Sequence, residues 1–412
     1  MTGRTFCTRC LYGSDHPLGI TFDSEGVCSG CRVHEEKDFL DWGERWRELE
    51  LLVKPYRSPS GATYDCIVPV TGAYDSYFLI HLVRERLQMN PLVVSYNTYY
   101  NTPLGIRNLA HLRDRFDVDM LTQHVNPVSV KRLTRQTLKQ LGSVYWQALA
   151  GHTVFPVQTA VRMNIPLIIW GPHQGVEQVG MYSHLDNVEM SRRYRKEHDL
   201  MGHEAGDLLQ SFSDLRDQDV WQFRYPEDRE LHRIGVRGIY LSNFVRWDPT
   251  AQHRFMVRER GFKSARLART FDAYDHVESY VYGGFHDWLK MCKRGYSRVL
   301  DHACREIRHK RLSRQSAIAL VRKYEFVAPP HMDLLADWLG AQTSALWLVA
   351  DRFRSPKSWR ARDLRDWSFQ GWSAELGDAS VDESAWIGDE PTSSLNLDRA
   401  DRFITVGRGY PY

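Results

Sequence analysis

From Tyr64 onward the chain alternates short apolar runs with longer amphipathic stretches. The runs Tyr64–Val70, Pro91–Asn97, Asp119–Val125 and Pro166–Gly171 have the length and β-branched content of buried strands. The intervals Ser76–Leu87, Leu104–Phe116, Val128–Leu141 and Tyr145–Met163 carry apolar residues at helical spacing. Strand and helix in this rhythm predict an α/β fold, a parallel sheet flanked by helices with ligands at the carboxyl ends of the strands. Ahead of it, Glu35–Val53 reads as one helix whose apolar stripe is Phe39, Leu40, Trp42, Trp46, Leu49 and Leu52, and Lys54–Thr63 reads as a separator. Beyond about Pro172 the strand signal fades, His286–Tyr324 and Pro329–Arg354 read as helical, and the tail from about Gly377 reads as loosely ordered or peripheral. The pattern divides the chain into segments 1–60, 61–180, 181–376 and 377–412.

With 412 residues, 42% hydrophobic and 25% charged, the chain can bury a full core. Its formal net charge of +3 creates no strong overall field, which argues against a dedicated nucleic-acid binder and leaves local basic patches open. No apolar run approaches the roughly 20 residues that span a bilayer, and Met1-Thr2-Gly3-Arg4-Thr5 lacks the apolar stretch of a signal peptide. A cytoplasmic location without membrane insertion is therefore expected, and a homo-oligomer is left open.

Four of the seven cysteines form Cys7-x2-Cys10 and Cys28-x2-Cys31, with 17 residues between the pairs. Each pair can turn two thiolates toward one tetrahedral ion, so a structural zinc knuckle is predicted, ahead of an iron–sulfur cluster or disulfides. Cys66, Cys292 and Cys304 read as small buried hydrophobes.

Thr71-Gly72-Ala73-Tyr74-Asp75-Ser76 lies between the first predicted strand and its helix, where small residues aim backbone N–H groups and a helix start at a phosphate. A tight turn would use the same residues. The segment resembles the pyrophosphate loop Ser-Gly-Gly-x-Asp-Ser of the ATP pyrophosphatases, with Thr71 in place of Ser and Ala73 in place of Gly. Further stretches make the resemblance more specific: Cys7-Thr8-Arg9-Cys10, Ile20 to Arg32, Tyr64 to Val70, Ile168-Ile169-Trp170-Gly171, Gly235 to Leu241, His286-Asp287-Trp288-Leu289-Lys290, and Gly295-Tyr296-Ser297-Arg298 with Asp301-His302-Ala303. In this order they are similar to the N-acetyl sugar amidotransferases of bacterial surface-polysaccharide biosynthesis, over about residues 5 to 360.

The resemblance implies an adenine-nucleotide hydrolase-like α/β domain with an N-terminal four-cysteine zinc knuckle and a mainly helical C-terminal region. It implies that ATP and Mg2+ adenylate the acetamido oxygen of a nucleotide-linked sugar, and that ammonia from a glutaminase subunit then displaces AMP to leave an acetamidine. In these roles Thr71, Gly72, Ala73, Tyr74, Asp75 and Ser76 hold phosphate, with Asp75 orienting magnesium or the loop. A helix cap would suit Asp75 and Ser76 equally. Ala73 is tolerated only if its backbone avoids positive φ and its Cβ has room. By fold analogy Asn97 and Thr98 meet the adenosine, or else form a turn; Trp170 and Gly171 reach the ligand at the same edge, or else belong to the core. Pro172 stands where the family carries an acidic residue.

Glu177 is a candidate base or magnesium ligand, against a solvated charge. Arg237 is a candidate clamp for phosphate or carboxylate, against a salt bridge. His286 and Asp287 are a candidate acid–base pair, against a helix cap. The run Arg305, Arg308, Lys310, Arg311 and Arg314 reads as a solvated helix face. Two other readings stay open: an ATP-dependent sulfur transferase, and a nucleotide-binding relative that has lost turnover.

Overall fold

The computed structural model describes residues 4–363, 366–377, 389–395 and 397. Its centre is a five-stranded parallel sheet of order β3-β2-β1-β4-β5, built from β1 (Cys66–Val70), β2 (Pro91–Tyr96), β3 (Met120–Gln123), β4 (Leu167–Trp170) and β5 (Arg237–Tyr240). Register is fixed by pairs such as Val68 with Val93, Ile67 with Ile168 and Trp170 with Tyr240. Successive strand residues point to opposite faces, and in β1, β2 and β4 both faces are buried, which is why these strands read as continuous apolar runs, whereas the edge strand β3 is partly exposed. Val68, Val70, Leu167, Ile169 and Ile239 pack on one side, whereas Ile67, Leu92, Val94, Ile168 and Trp170 pack on the other.

The first face is covered by α2 (Trp42–Val53), α3 (Tyr74–Ile80), α4 (Pro103–Phe116) and the helix Pro249–Arg260. The second is covered by α6 (Trp146–Met163), preceded by α5 (Pro127–Leu141). Gly151 of α6 lies flat on Tyr96, since a Cβ there would meet the ring at 2.3 Å. Helix starts follow local chemistry. Thr102 and Asn126 accept backbone N–H bonds, and each is followed by a proline at the first helical position.

Several expectations are corrected. The single helix expected over Glu35–Val53 is two helices, α1 (Ser29–Glu36) and α2. The break lies where Asp41 accepts the Gly43 and Glu44 amides as a cap, a stronger local signal than the apolar stripe. The helix expected from Ser76 starts two residues earlier, at Tyr74, and passes at His81–Arg86 into a wider i→i+5 turn. The fifth strand, β5, has no counterpart in the apolar pattern; four residues are too few to show periodicity, and the sheet's edge position decides them. The same holds for the hairpin β6 (Trp359–Asp363) and β7 (Asp366–Phe369). The C-terminal helical region is present as the separate helices Asp287–Arg294, Arg298–Arg308, Arg314–Glu325, Met332–Leu339 and Thr343–Arg352. Most of the tail beyond Gly377 lies outside the described residues.

Candidate active site

The strand order reverses direction between β1 and β4, and in open parallel sheets that switch point opens a crevice at the carboxyl ends of the strands. A cavity of about 280 Å³ lies there, lined by the ends of β1, β2, β4 and β5 together with Thr71, Asp75, Ser76, His152, His173 and Arg195. A second cavity of about 250 Å³ adjoins it, and Asp75, Pro172, Gln174 and His276 line both.

The Thr71–Ser76 loop joins the two. Gly72 takes φ +89, and a Cβ there would press on the Gly105 carbonyl oxygen at 3.1 Å and on Leu109 at 3.2 Å, so glycine is required. Ala73 has φ −77 and ψ 172, extended backbone open to any residue, so its replacement of glycine carries no strain. Ser76 Oγ accepts the Thr71 amide at 3.0 Å, which draws the loop back over the start of α3. Asp75 accepts the Ser76 amide at 2.8 Å, and its carboxyl is pushed up to about 6 by burial, with Glu278 and Asp275 adding repulsion. Tyr74 does not line the first cavity; it is buried against Tyr274 and walls the second.

Trp170 and Gly171 line the first cavity, and Trp170 also belongs to the core on that face of the sheet. Asn97 is fully buried, with Oδ1 accepting the Tyr99 amide and the Asn101 side chain, and lines neither cavity; here the turn reading holds. Glu177 lines the second cavity but is no solvated charge: Lys37 bonds one oxygen and His184 lies 3.6 Å from the other. Burial raises its pKa, but Lys37 and His184 outweigh that and keep it below the usual carboxylate range.

Arg237 forks onto Glu189 through Nε and Nη2 on a separate cavity beside Glu48, so the salt bridge replaces the substrate clamp. Asp287 is likewise committed: one oxygen takes Arg269 Nε at 2.9 Å and the other takes the Arg298 amide at 2.7 Å, capping the helix Arg298–Arg308. His286 is therefore not paired with it. Its half-buried ring lines the second cavity with a buried, unpartnered Nδ1, pushed down to about 3 by desolvation and nearby Lys293 and Lys290.

The basic run is corrected in the same way. Lys310 is exposed, but Arg305 and Arg308 line the second cavity, and Arg311 pairs with Asp248 and Glu306. Sequence reasoning missed His276, Arg195, Lys290 and Arg298 as cavity residues. His276 stands where the cavities meet, in a left-handed conformation at φ +60 that is rare outside glycine, stacked on Tyr282 at 3.6 Å. Burial lowers its pKa, but Asp275 and Glu278 outweigh burial and favour the imidazolium. An Asp-His pair before a Gly-Gly was the one signal available for it.

Cys7, Cys10, Cys28 and Cys31 are buried with their sulfur atoms all within 4.8 Å of one another. The Cys7–Cys31 and Cys10–Cys28 separations are 3.9 and 3.6 Å. A tetrahedron of zinc–thiolate bonds has S···S edges of about 3.8 Å, so the set fits zinc with every position filled. Amides of Arg9, Cys10 and Cys28 donate to Cys7 Sγ, as outer-shell support for a thiolate. The knuckle is not peripheral: Tyr12 bonds Asp301, and the Arg308 guanidinium lies 3.8 Å from Cys28 Sγ and 4.0 Å from Cys10 Sγ while lining the second cavity.

Residues 268–372 match the family model of the WbpG-like LPS biosynthesis protein, C-terminal domain. The match supports the polysaccharide-biosynthesis resemblance, and the WbpG-like segment contributes His276, His286, Lys290, Arg298, Arg305 and Arg308 to the second cavity. An uncharacterized protein of Methanocaldococcus jannaschii is 24% identical over 115 residues, 28% of this chain and 41% of that protein. This chain thus spans less than half the length of that curated relative. Among solved structures, the NMN synthetase of Francisella tularensis is 13% identical, covering 48% of this chain and 85% of its own, at a TM-score of 0.27. The NH3-dependent NAD synthetase of Campylobacter jejuni is 10% identical, covering 53% and 97%, at 0.28. These two likenesses are too distant to bear on the site.

Proposed function

We propose that the protein is an ATP-dependent amidotransferase that converts the acetamido group of a nucleotide-linked N-acetyl sugar into an acetamidine, releasing AMP and pyrophosphate. The observation that carries the reading is the Thr71–Ser76 loop at the switch point of a parallel sheet, with Asp75 shared by two cavities of different character. The first takes ATP. Gly72 lets the loop turn tightly against Gly105 and Leu109, and Thr71, Ser76 and the start of α3 donate to the phosphates. Magnesium, supplying charge neutralisation for the departing pyrophosphate, would be held by Asp75 with phosphate oxygens.

The second cavity takes the sugar nucleotide, whose phosphates match the unpartnered Nε and Nη1 of Arg298 and Nε of Arg308. The acetamido oxygen attacks the α-phosphorus at the junction and pyrophosphate leaves. Ammonia then adds to the activated carbon and AMP leaves, so an amide oxygen becomes a good leaving group. His276, at the junction with Asp275 and Glu278 favouring its imidazolium, is placed to donate to the developing phosphate charge. On this reading segment 61–180 carries most of the nucleotide site, 181–376 the sugar site, a glutaminase subunit supplies ammonia, and the cytoplasm supplies ATP. Zinc in the four-cysteine knuckle is structural.

Among the described residues no cysteine lines either cavity, and Cys66 lies at the opposite end of β1 from the loop, which disfavours sulfur transfer through an enzyme-bound thiol. Incubation with ATP, Mg2+, ammonium and a panel of UDP-acetamido sugars, followed by phosphorus NMR and mass spectrometry, tests the proposal. AMP and pyrophosphate with one sugar oxygen replaced by an imino group are expected. Tight ATP binding without AMP would support the non-catalytic reading instead.

A further inference from the structure

On the β4 side of the first cavity, three buried side chains carry polar atoms that meet no partner: Nε1 of Trp170, both ring nitrogens of His173, and Nε and Nη2 of Arg195. Trp170 is 9% exposed, His173 1% and Arg195 6%. Buried donors are nearly always paired, and a group of them left open on a cavity wall points to a ligand that completes them.

Arg195 is fixed on two sides. Its Nη1 donates to Asp199 at 2.8 Å, and its guanidinium carbon lies 4.0 Å from the Trp170 ring centroid. Between Arg195 and Asp199 the backbone leaves α-helical bonding for an i→i+5 turn, closed by the Leu200 amide on the Arg195 carbonyl at 2.9 Å; such turns are frequent at functional sites. What stays free is the edge formed by Nε–H and the outer Nη2–H. These two bonds project side by side at the spacing of two oxygens in a carboxylate or phosphate. A guanidinium stacked on indole, held from behind and open along that edge, is oriented before any ligand arrives. Beside it, burial and the Arg195 charge push His173 down to about 4, so the neutral ring offers one further N–H.

We propose that Arg195, with Trp170 as its platform, is an oxyanion-binding residue that receives two oxygens of a phosphate or carboxylate on its Nε/Nη2 edge. It is a second anion contact, separate from the Thr71–Ser76 loop, and it rests on the reading of this cavity as the cleft for nucleotide or substrate. The group it holds is a phosphate of the nucleotide in this cavity or a carboxylate that the acceptor extends into it from the junction with the second cavity, and both sources share this chemistry.

Calorimetric titration of wild type, R195K and R195Q with AMP, adenosine, UDP-glucuronic acid, UDP-glucose and uridine tests it, with melting curves to establish folding. R195K keeps the charge and loses the fork, so it remains informative where R195Q is destabilised. We expect a loss of about tenfold or more for at least one charged probe, with adenosine and uridine within about twofold of wild type. A loss for AMP or UDP-glucose assigns phosphate; a loss confined to UDP-glucuronic acid assigns carboxylate. Unchanged affinities for all probes overturn the proposal, as does a parallel loss of the uncharged nucleosides, which marks a purely structural arginine. Wild type that binds no AMP overturns the nucleotide reading, and the UDP-sugar comparison then decides Arg195. Wild type that binds no charged probe overturns both.

Discussion

Gly72 and Ala73 are neighbours with opposite demands. Gly72 at φ +89 cannot be replaced cheaply, so G72A is expected to cost about 1–2 kcal/mol in urea unfolding and to weaken ATP binding as Leu109 is pushed back. A73G should restore nothing, because Ala73 already has an ordinary backbone; it is expected to lose about 0.5–1 kcal/mol to added unfolded-state freedom. Asp75 gives a pH signature. Its folded pKa of about 6 lies above its unfolded value near 3.8, so its contribution to stability is present at low pH and is lost as pH rises from about 4 through 6. D75N should remove that slope from a series of melting curves, stabilise the protein at pH 7.5 and abolish AMP formation. Glu325 behaves likewise around pH 7, where burial has pushed it, and E325Q is expected to gain on the order of 2 kcal/mol at pH 9. The loop was legible in the sequence because its residues are consecutive. The harmlessness of Ala73 was not, because φ is set by how the strand end meets α3.

At the scale of elements, the helices α4, α5 and α6 were readable because apolar periodicity over ten or more residues is a local property, and β1 to β4 because they are short apolar runs between them. The break between α1 and α2, the short β5 and the β6–β7 hairpin were not, because caps and edge pairing decide segments too short for a pattern. The cysteine knuckle was readable from spacing; its connection to the helix Arg298–Arg308 was not. That connection predicts an effect of metal removal at a distance. Chelation should raise hydrogen exchange both at α1 and along residues 298–308, through Tyr12, Cys304 and Arg308, while exchange in β2 stays at its metal-bound level. R308M should speed metal loss to a chelator about tenfold, since it removes the cation that faces Cys10 and Cys28.

Over the whole molecule, the core clusters cross the segment boundaries. One joins Tyr96, Tyr100 and Trp146 to Trp288, Trp338 and Trp359; another joins Cys10 and Leu11 to Val299, Leu300 and Trp372. Urea unfolding followed by circular dichroism and by tryptophan fluorescence is therefore expected to give coincident single transitions, and two separated transitions would contradict this interleaving. The second cavity makes the same point, since Tyr12, Glu177, Trp247 and Arg298 come from distant parts of the chain. By itself the sequence determined the α/β class, the strand-to-helix loop Thr71–Ser76 and the four-cysteine cluster, because each is written in residues close together and governed by local backbone geometry. Only the tertiary structure decided that Arg237 and Asp287 are committed to other partners, that Arg305 and Arg308 face a cavity rather than water, and that His276 and Arg195 stand at the site. Burial and pairing of a charge depend on what packs over it, and here partners such as Glu189 for Arg237, Trp170 for Arg195 and Cys28 for Arg308 lie tens to hundreds of residues away.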